Sequence, residues 1–235
     1  MADKKQASAA AKDLIPTSSL PPQGILIDLE TLVQDHRKQA WTRLAKRLKK
    51  AGEKNGLQAF VRVGLSGTPQ SSAAAVAREC GLEAEAAATI AAECVVDLLA
   101  AYEKGEGKAV VGVPVLAKSS VRVVAVTWMP ESTAQSLVSS LGLEALGIQL
   151  VCVESAASSF PDADTWIKAA RLGEGSVRSF VAVVDNNAAC QSALSAGFRC
   201  LVVPDEYTSF QDFGGADGVL EGLSGLPAAF AGLIG

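Results

Sequence analysis

Short apolar runs that alternate with helical segments are the feature that most constrains how this chain can fold. VRVVAVT (Val121 to Thr127), QLVCVE (Gln149 to Glu154), SFVAVVD (Ser179 to Asp185) and RCLVVP (Arg199 to Pro204) read as buried strands. Helical character follows the first three of them, from about Pro130 to Leu141, Asp162 to Leu172 and Ala188 to Ala196. Strands alternating with helices of this length imply a parallel sheet with right-handed crossovers. An earlier run, Gly24 to Leu29, adds a first strand. The expected class is α/β, an open parallel sheet.

A long helical stretch separates that first strand from the second. Trp41, Leu44 and Leu48 recur at helical spacing between His36 and Lys50, with basic residues on the other face, which reads as a solvated surface. Alanine-rich sequence from about Gln70 to Tyr102, split at Gly81, has high helix propensity. GEGK, residues 105 to 108, breaks it. Residues 35–115 are therefore expected to form a helical cap inserted into a core made of 24–34 and 116–235. Residues 1–23, closed by Pro21-Pro22, read as a flexible tail.

At 235 residues the chain is long enough to bury a full core. Its net charge of -4, with no evident basic face, argues against nucleic acid as a partner. No apolar run reaches the length of a membrane span. The opening MADKKQASAAAKD lacks the apolar core of a secretory signal. Five scattered cysteines, Cys80, Cys94, Cys152, Cys190 and Cys200, have no zinc-site spacing and suit buried thiols in a reducing compartment. His36 is the only histidine, so a Cys-His or Ser-His mechanism has one candidate base and no supporting motif.

The polar residues that end the strands carry the chemistry. The first strand ends at Asp28, with Glu30 two residues on; the second ends at Thr127; the fourth ends in Asp185-Asn186-Asn187. For Asp28 alone, a strand running into a polar turn is explanation enough. Matching groups on later strands change that, because parallel strands bring their carboxyl ends to one edge. Two carboxylates and a hydroxyl gathered there could bind magnesium through oxygen. A carboxylate beside that metal could attack phosphorus.

On these residues the chain resembles the haloacid dehalogenase superfamily of phosphohydrolases. The likeness spans nearly everything after residue 23 and includes ALSAG at the end of a late helix. HRKQAW, Leu141-Gly142-Leu143 and PDEYTSFQDFGGADGVL look most like the Cbby-like sugar-phosphate phosphatases and their β-phosphoglucomutase relatives, the last segment like plant and algal members. The resemblance implies that Asp28 is the nucleophile and a magnesium ligand, and that Glu30 stands at the general acid/base position. It also implies that Thr127 binds phosphate and that Asp185 ligates magnesium.

The departures are as informative. The family's Asp-x-Asp-Gly-Thr is here Asp28-Leu29-Glu30-Thr31-Leu32, and the turn to His36 looks about four residues short. Phe160 stands where the family carries a lysine that balances charge between phosphate and nucleophile. Lys168 and Arg171, on the next helix, are the candidate substitutes. Val184 replaces an acid, and Trp128 replaces a small residue. Phosphoryl transfer depends on positioning and charge stabilisation, so the expectation is weak or absent magnesium binding and a degenerate, non-catalytic structural or binding subunit of a larger assembly. The alternative is a magnesium-dependent sugar-phosphate phosphatase with an altered site. Expected partners are proteins, with a sugar phosphate as the alternative ligand. The chloroplast stroma is the compartment that the resemblance implies.

Overall fold

The computed structural model describes residues 22–52, 55–117, 121–153 and 160–234. The expected tail, up to residue 21, and Glu154 lie outside the described residues. Strand β1 (Gly24–Asp28) leads through a 3-10 turn at Leu29–Leu32 into α1 (His36–Lys50), α2 (Gly56–Val63), α3 (Pro69–Glu79) and α4 (Ala84–Glu103). The chain then continues through α5 (Val113–Ala117), β2 (Arg122–Thr127), α6 (Glu131–Ser140) and β3 (Gln149–Cys152). The remaining elements are α7 (Ala163–Leu172), β4 (Phe180–Val184), α8 (Asn187–Ser195), β5 (Arg199–Val202), β6 (Gly218–Val219) and α9 (Leu226–Ile234).

Among the described residues the six strands form one sheet in the order β3-β2-β1-β4-β5-β6. Every neighbouring pair is parallel. Strands buried on both faces read as near-continuous apolar runs: β4 is apolar throughout, and β1 and β2 are so except at the end residues Asp28, Arg122 and Thr127. Ile25, Ile27, Val123, Ala125, Val181 and Val183 pack into the core on one face with Leu137 of α6 and Leu226 and Phe230 of α9. Leu26, Val124, Val126, Ala182 and Val184 pack on the other with Trp166 of α7 and Ala189 and Cys190 of α8.

The cap has its own core. Leu44 and Leu48 of α1 meet Ala59 and Phe60 of α2, Val76 and Ala77 of α3, and Ala87 and Ala91 of α4. Small alanines let these helices approach closely. Thr68 starts α3 by accepting a hydrogen bond from the Ser71 amide at 3.2 Å, with Pro69 in the first turn. Gly105, at φ +72, closes the end of α4 in a conformation other residues resist. A narrow neck joins cap to core: Gln34 N–H donates to Lys108 O at 2.7 Å and Val110 N–H to Leu32 O at 3.0 Å.

Chain order reverses at β1. The chain builds outward through β2 and β3, then returns to lay β4 on the other side of β1. In open parallel sheets the crevice for a ligand forms at such a switch point, beyond the carboxyl ends of the strands.

Candidate functional site

The sheet register brings the strand-end residues level. Asp28 pairs with Val126, one residue before Thr127, and Ile27 pairs with Val183, two residues before Asp185. Asp28, Thr127 and Asp185 thus share one edge, as the sequence predicts. Thr127 is fully buried, and its hydroxyl accepts from the Met129 amide at 3.1 Å. It is the next residue, Trp128, that faces the cleft between cap and core, together with Asp28, Glu30 and Phe160. Lys168 and Arg171 are exposed on α7 and do not line that cleft.

The sequence reading missed the residue that dominates the site. Arg37 was expected on a solvated basic face of α1; it is buried instead. Its guanidinium grips Asp185 as a fork, Nη2 to Oδ1 at 2.6 Å and Nη1 to Oδ2 at 3.0 Å. Nη1 also reaches Asp205 Oδ2 at 2.6 Å. Asn186 Nδ2 donates to Asp185 Oδ1 at 2.9 Å, and His36 Nε2 lies 3.2 Å from Oδ2. Burial alone would push the Asp185 carboxyl up, but the Arg37 and His36 contacts overcome that and hold it far below the usual carboxylate range. Asp205 is itself fixed by a turn, accepting at Oδ1 from the Tyr207 amide at 2.9 Å and from the Thr208 hydroxyl at 3.1 Å. The rest of the basic face is divided. Arg47 pairs with Glu93 and Asp97 of α4, while Lys38, Lys46, Lys49 and Lys50 are exposed.

A signal for Arg37 was present. The first turn of α1 reads His36-Arg37-Lys38, with no acid, and Asp35 before it makes no side-chain cap and sits at φ 56. Cations at a helix N-terminus oppose the helix dipole. A start that breaks local rules needs tertiary support, and the acids at the ends of β4 and β5 supply it.

Asp28 and Glu30 form a strained pair. Asp28 Oδ1 accepts from the Glu30 amide at 3.1 Å. Glu30 Oε1 accepts from Trp128 Nε1, while Oε2 is buried with no donor in reach. Burial pushes Glu30 well above the usual carboxylate range, and the Asp28 charge adds to it. Burial also raises Asp28, opposed by hydrogen bonding from Glu30. The two Glu30 oxygens therefore differ, one held by the indole and one buried without a partner, a setting that disfavours the charged carboxylate.

No family model matches the sequence, and no curated protein matches it. Solved structures do match in shape. CbbY from Rhodobacter sphaeroides, in complex with xylulose-(1,5)bisphosphate, superimposes with TM-score 0.69 at 19% identity, over 89% of this chain and 99% of that one. A conserved haloacid dehalogenase-like protein from Agrobacterium tumefaciens gives TM-score 0.71 at 19% identity, over 91% and 100%. A β-phosphoglucomutase from Clostridium difficile gives 0.69 at 12%, over 91% and 99%. The fold is haloacid dehalogenase-like.

The cleft between the helical unit and the sheet is lined mostly by apolar side chains. Leu44, Phe60, Leu65, Leu98, Trp128 and Phe160 make much of its wall. Its volume is about 70 Å³, room for a few waters rather than a sugar phosphate. The bases on its wall, among the described residues, are His36 and Arg37, and both are turned to Asp185. Cys94 also lines it, but burial pushes its thiol up to about 11, which leaves it protonated and unreactive near neutral pH. Cys94, Cys190 and Cys200 are buried as expected, while Cys80 and Cys152 are partly exposed.

Magnesium, which the resemblance implies, needs near-octahedral oxygen ligands at about 2.0–2.1 Å. Each Asp185 oxygen already carries two nitrogen contacts. A divalent ion on either oxygen would sit against the guanidinium. As arranged, these residues do not fit the metal.

Proposed function

We propose that this chain does not turn over phosphate esters and serves as a structural or binding subunit of a larger assembly. The observation that carries this reading is Phe160. It is buried on the cleft wall, at the position where the resemblance places a lysine, and among the described residues the basic side chains on that wall, His36 and Arg37, are both engaged with Asp185. A phosphate dianion entering there would meet two carboxyls and apolar rings, and burying unpaired charge is costly. The cap helices and the amino-terminal stretch are the proposed contact regions. Val96, on the outer face of α4, is 64% exposed. No helix among the described residues is long and apolar enough to cross a membrane. The proposed compartment, on the likeness of PDEYTSFQDFGGADGVL to plant and algal proteins, is the chloroplast stroma, which fractionation of source tissue tests.

The second reading is a sugar-phosphate phosphatase with an altered site. It is favoured by the shared edge of Asp28, Thr127 and Asp185 and by the likeness to a CbbY that holds a sugar bisphosphate.

Two measurements decide between them. The full chain is assayed against a panel of sugar phosphates with magnesium, beside Asp28→Asn and Phe160→Lys, and it is purified from its source with whatever accompanies it. The expected result is no turnover above the Asp28→Asn background and a stable protein partner. Phe160→Lys alone should stay silent, because Arg37 still holds Asp185. Robust native activity that vanishes in Asp28→Asn, with no partner recovered, overturns the proposal in favour of the phosphatase.

A further inference from the structure

The ion pair at the end of β4 is built with more support than a surface contact needs. Arg37 comes from the first turn of the cap, Asp185 from the end of β4 and Asp205 from beyond β5. The arginine side chain is 9% exposed and the Asp185 side chain 5%. A guanidinium fork on a carboxylate is the geometry in which arginine is strongest and lysine cannot replace it. The fork fills one side of Asp185, and Asn186 and His36 take the remaining approach to each oxygen. Asp205 supplies a second counter-charge, so one guanidinium bridges two acids in the position a cation would take between them, offsetting one of the two charges that a divalent ion would offset.

We propose that Arg37 is the resident cation of this site, a covalently tethered substitute for a divalent metal at Asp185, and that it latches the cap onto the core. The inference concerns which cation Asp185 holds, so it stands or falls independently of whether the chain hydrolyses phosphate. It makes two demands. The native chain has no vacant cation position at Asp185, and removing the guanidinium creates one.

The test is calorimetric titration of the full chain with magnesium chloride, beside thermal unfolding in magnesium chloride and in sodium chloride of matched ionic strength. The native chain is expected to show no saturable magnesium binding up to about 10 mM, beyond the range of even weak protein sites. Arg37→Met leaves the buried Asp185 and the half-buried Asp205 without their counter-charge. It is expected to unfold at lower temperature than the native chain, to recover part of that loss in magnesium, and to lose the recovery in Arg37→Met/Asp185→Asn. Arg37→Lys keeps one charge but not the fork, and is expected to show a smaller magnesium-dependent rise. Saturable magnesium binding by the native chain that disappears in Asp185→Asn overturns the proposal. So does a folded Arg37→Met with no magnesium response. If Arg37→Met does not fold with or without the metal, Arg37→Lys decides: a magnesium-dependent rise supports the substitution, and a response equal to that of the native chain overturns it.

Discussion

Glu30 shows at the scale of one residue how burial sets the charge of the site. A glutamate in place of an aspartate carries its carboxyl one methylene further, and that reach brings it to Trp128 Nε1 and buries it. Its raised pKa has a definite consequence for stability. The folded state keeps a proton that the unfolded chain releases near the ordinary value of about 4.3. Stability from Glu30 is therefore full below that value and is lost as pH rises toward the folded pKa. Glu30→Gln keeps the carbonyl that accepts from Trp128 and removes the ionisable group. It should raise the unfolding midpoint at about pH 8, leave it near the native value at about pH 5, and flatten the slope between them. Thermal unfolding across that range checks this, and an equal effect at both ends would count against a protonated Glu30. The sequence placed Glu30 just past the end of the first strand but could not show its burial, which depends on Trp128 arriving from the next strand.

Among the elements, α1 is the one whose position is most dependent on distant charge. Its first turn is cationic, without an acidic residue, and its anchor lies in acids about 150 residues away. Removing one partner of a buried pair strands the other, at a typical cost of about 3–5 kcal/mol. Arg37→Met and Asp185→Asn should each lower unfolding free energy by about that much in denaturant titrations, and their combination by clearly less than the sum. Asp185 also sets an acid limit. Its pKa is depressed in the folded state, so its contribution is present above the ordinary carboxylate value of about 4 and fades as pH falls below it. The acid limb of the stability curve should accordingly be shallower in Asp185→Asn than in the native chain. Within the cap, Thr68→Ala should cost about 1 kcal/mol, the usual price of an N-cap hydroxyl. Strands β1 to β5 and helices α1, α3, α4, α6, α7 and α8 were legible because their apolar residues keep one period. Helix α2 was not, since FVRVG is poor in helix formers and is held by Phe60 packing in the cap. Strand β6, two residues long, has no period to read.

At the scale of the whole molecule, a parallel sheet was readable from alternation alone, and so was the shared edge of Asp28, Thr127 and Asp185; the order of the strands was not. What closes the site was not. Arg37 and Asp205 lie in HRKQAW and PDEYTSF, the segments that carried the likeness, yet their pairing is a long-range contact that spacing does not encode. Phe60 of the cap also meets Tyr207 of the core edge-on, with ring centroids 5.8 Å apart, so an aromatic contact and an ion pair draw the cap down together. A molecule closed in this way, with Phe160 on its wall and Asp28 beside a buried Glu30, should not form a phosphoryl-aspartate. Fluoroberyllate, which mimics a phosphoryl group on a carboxylate, tests that directly by ¹⁹F NMR of the full chain in magnesium chloride. The account predicts only the resonances of free fluoroberyllate and fluoride; a bound resonance present in the native chain and absent in Asp28→Asn would contradict it.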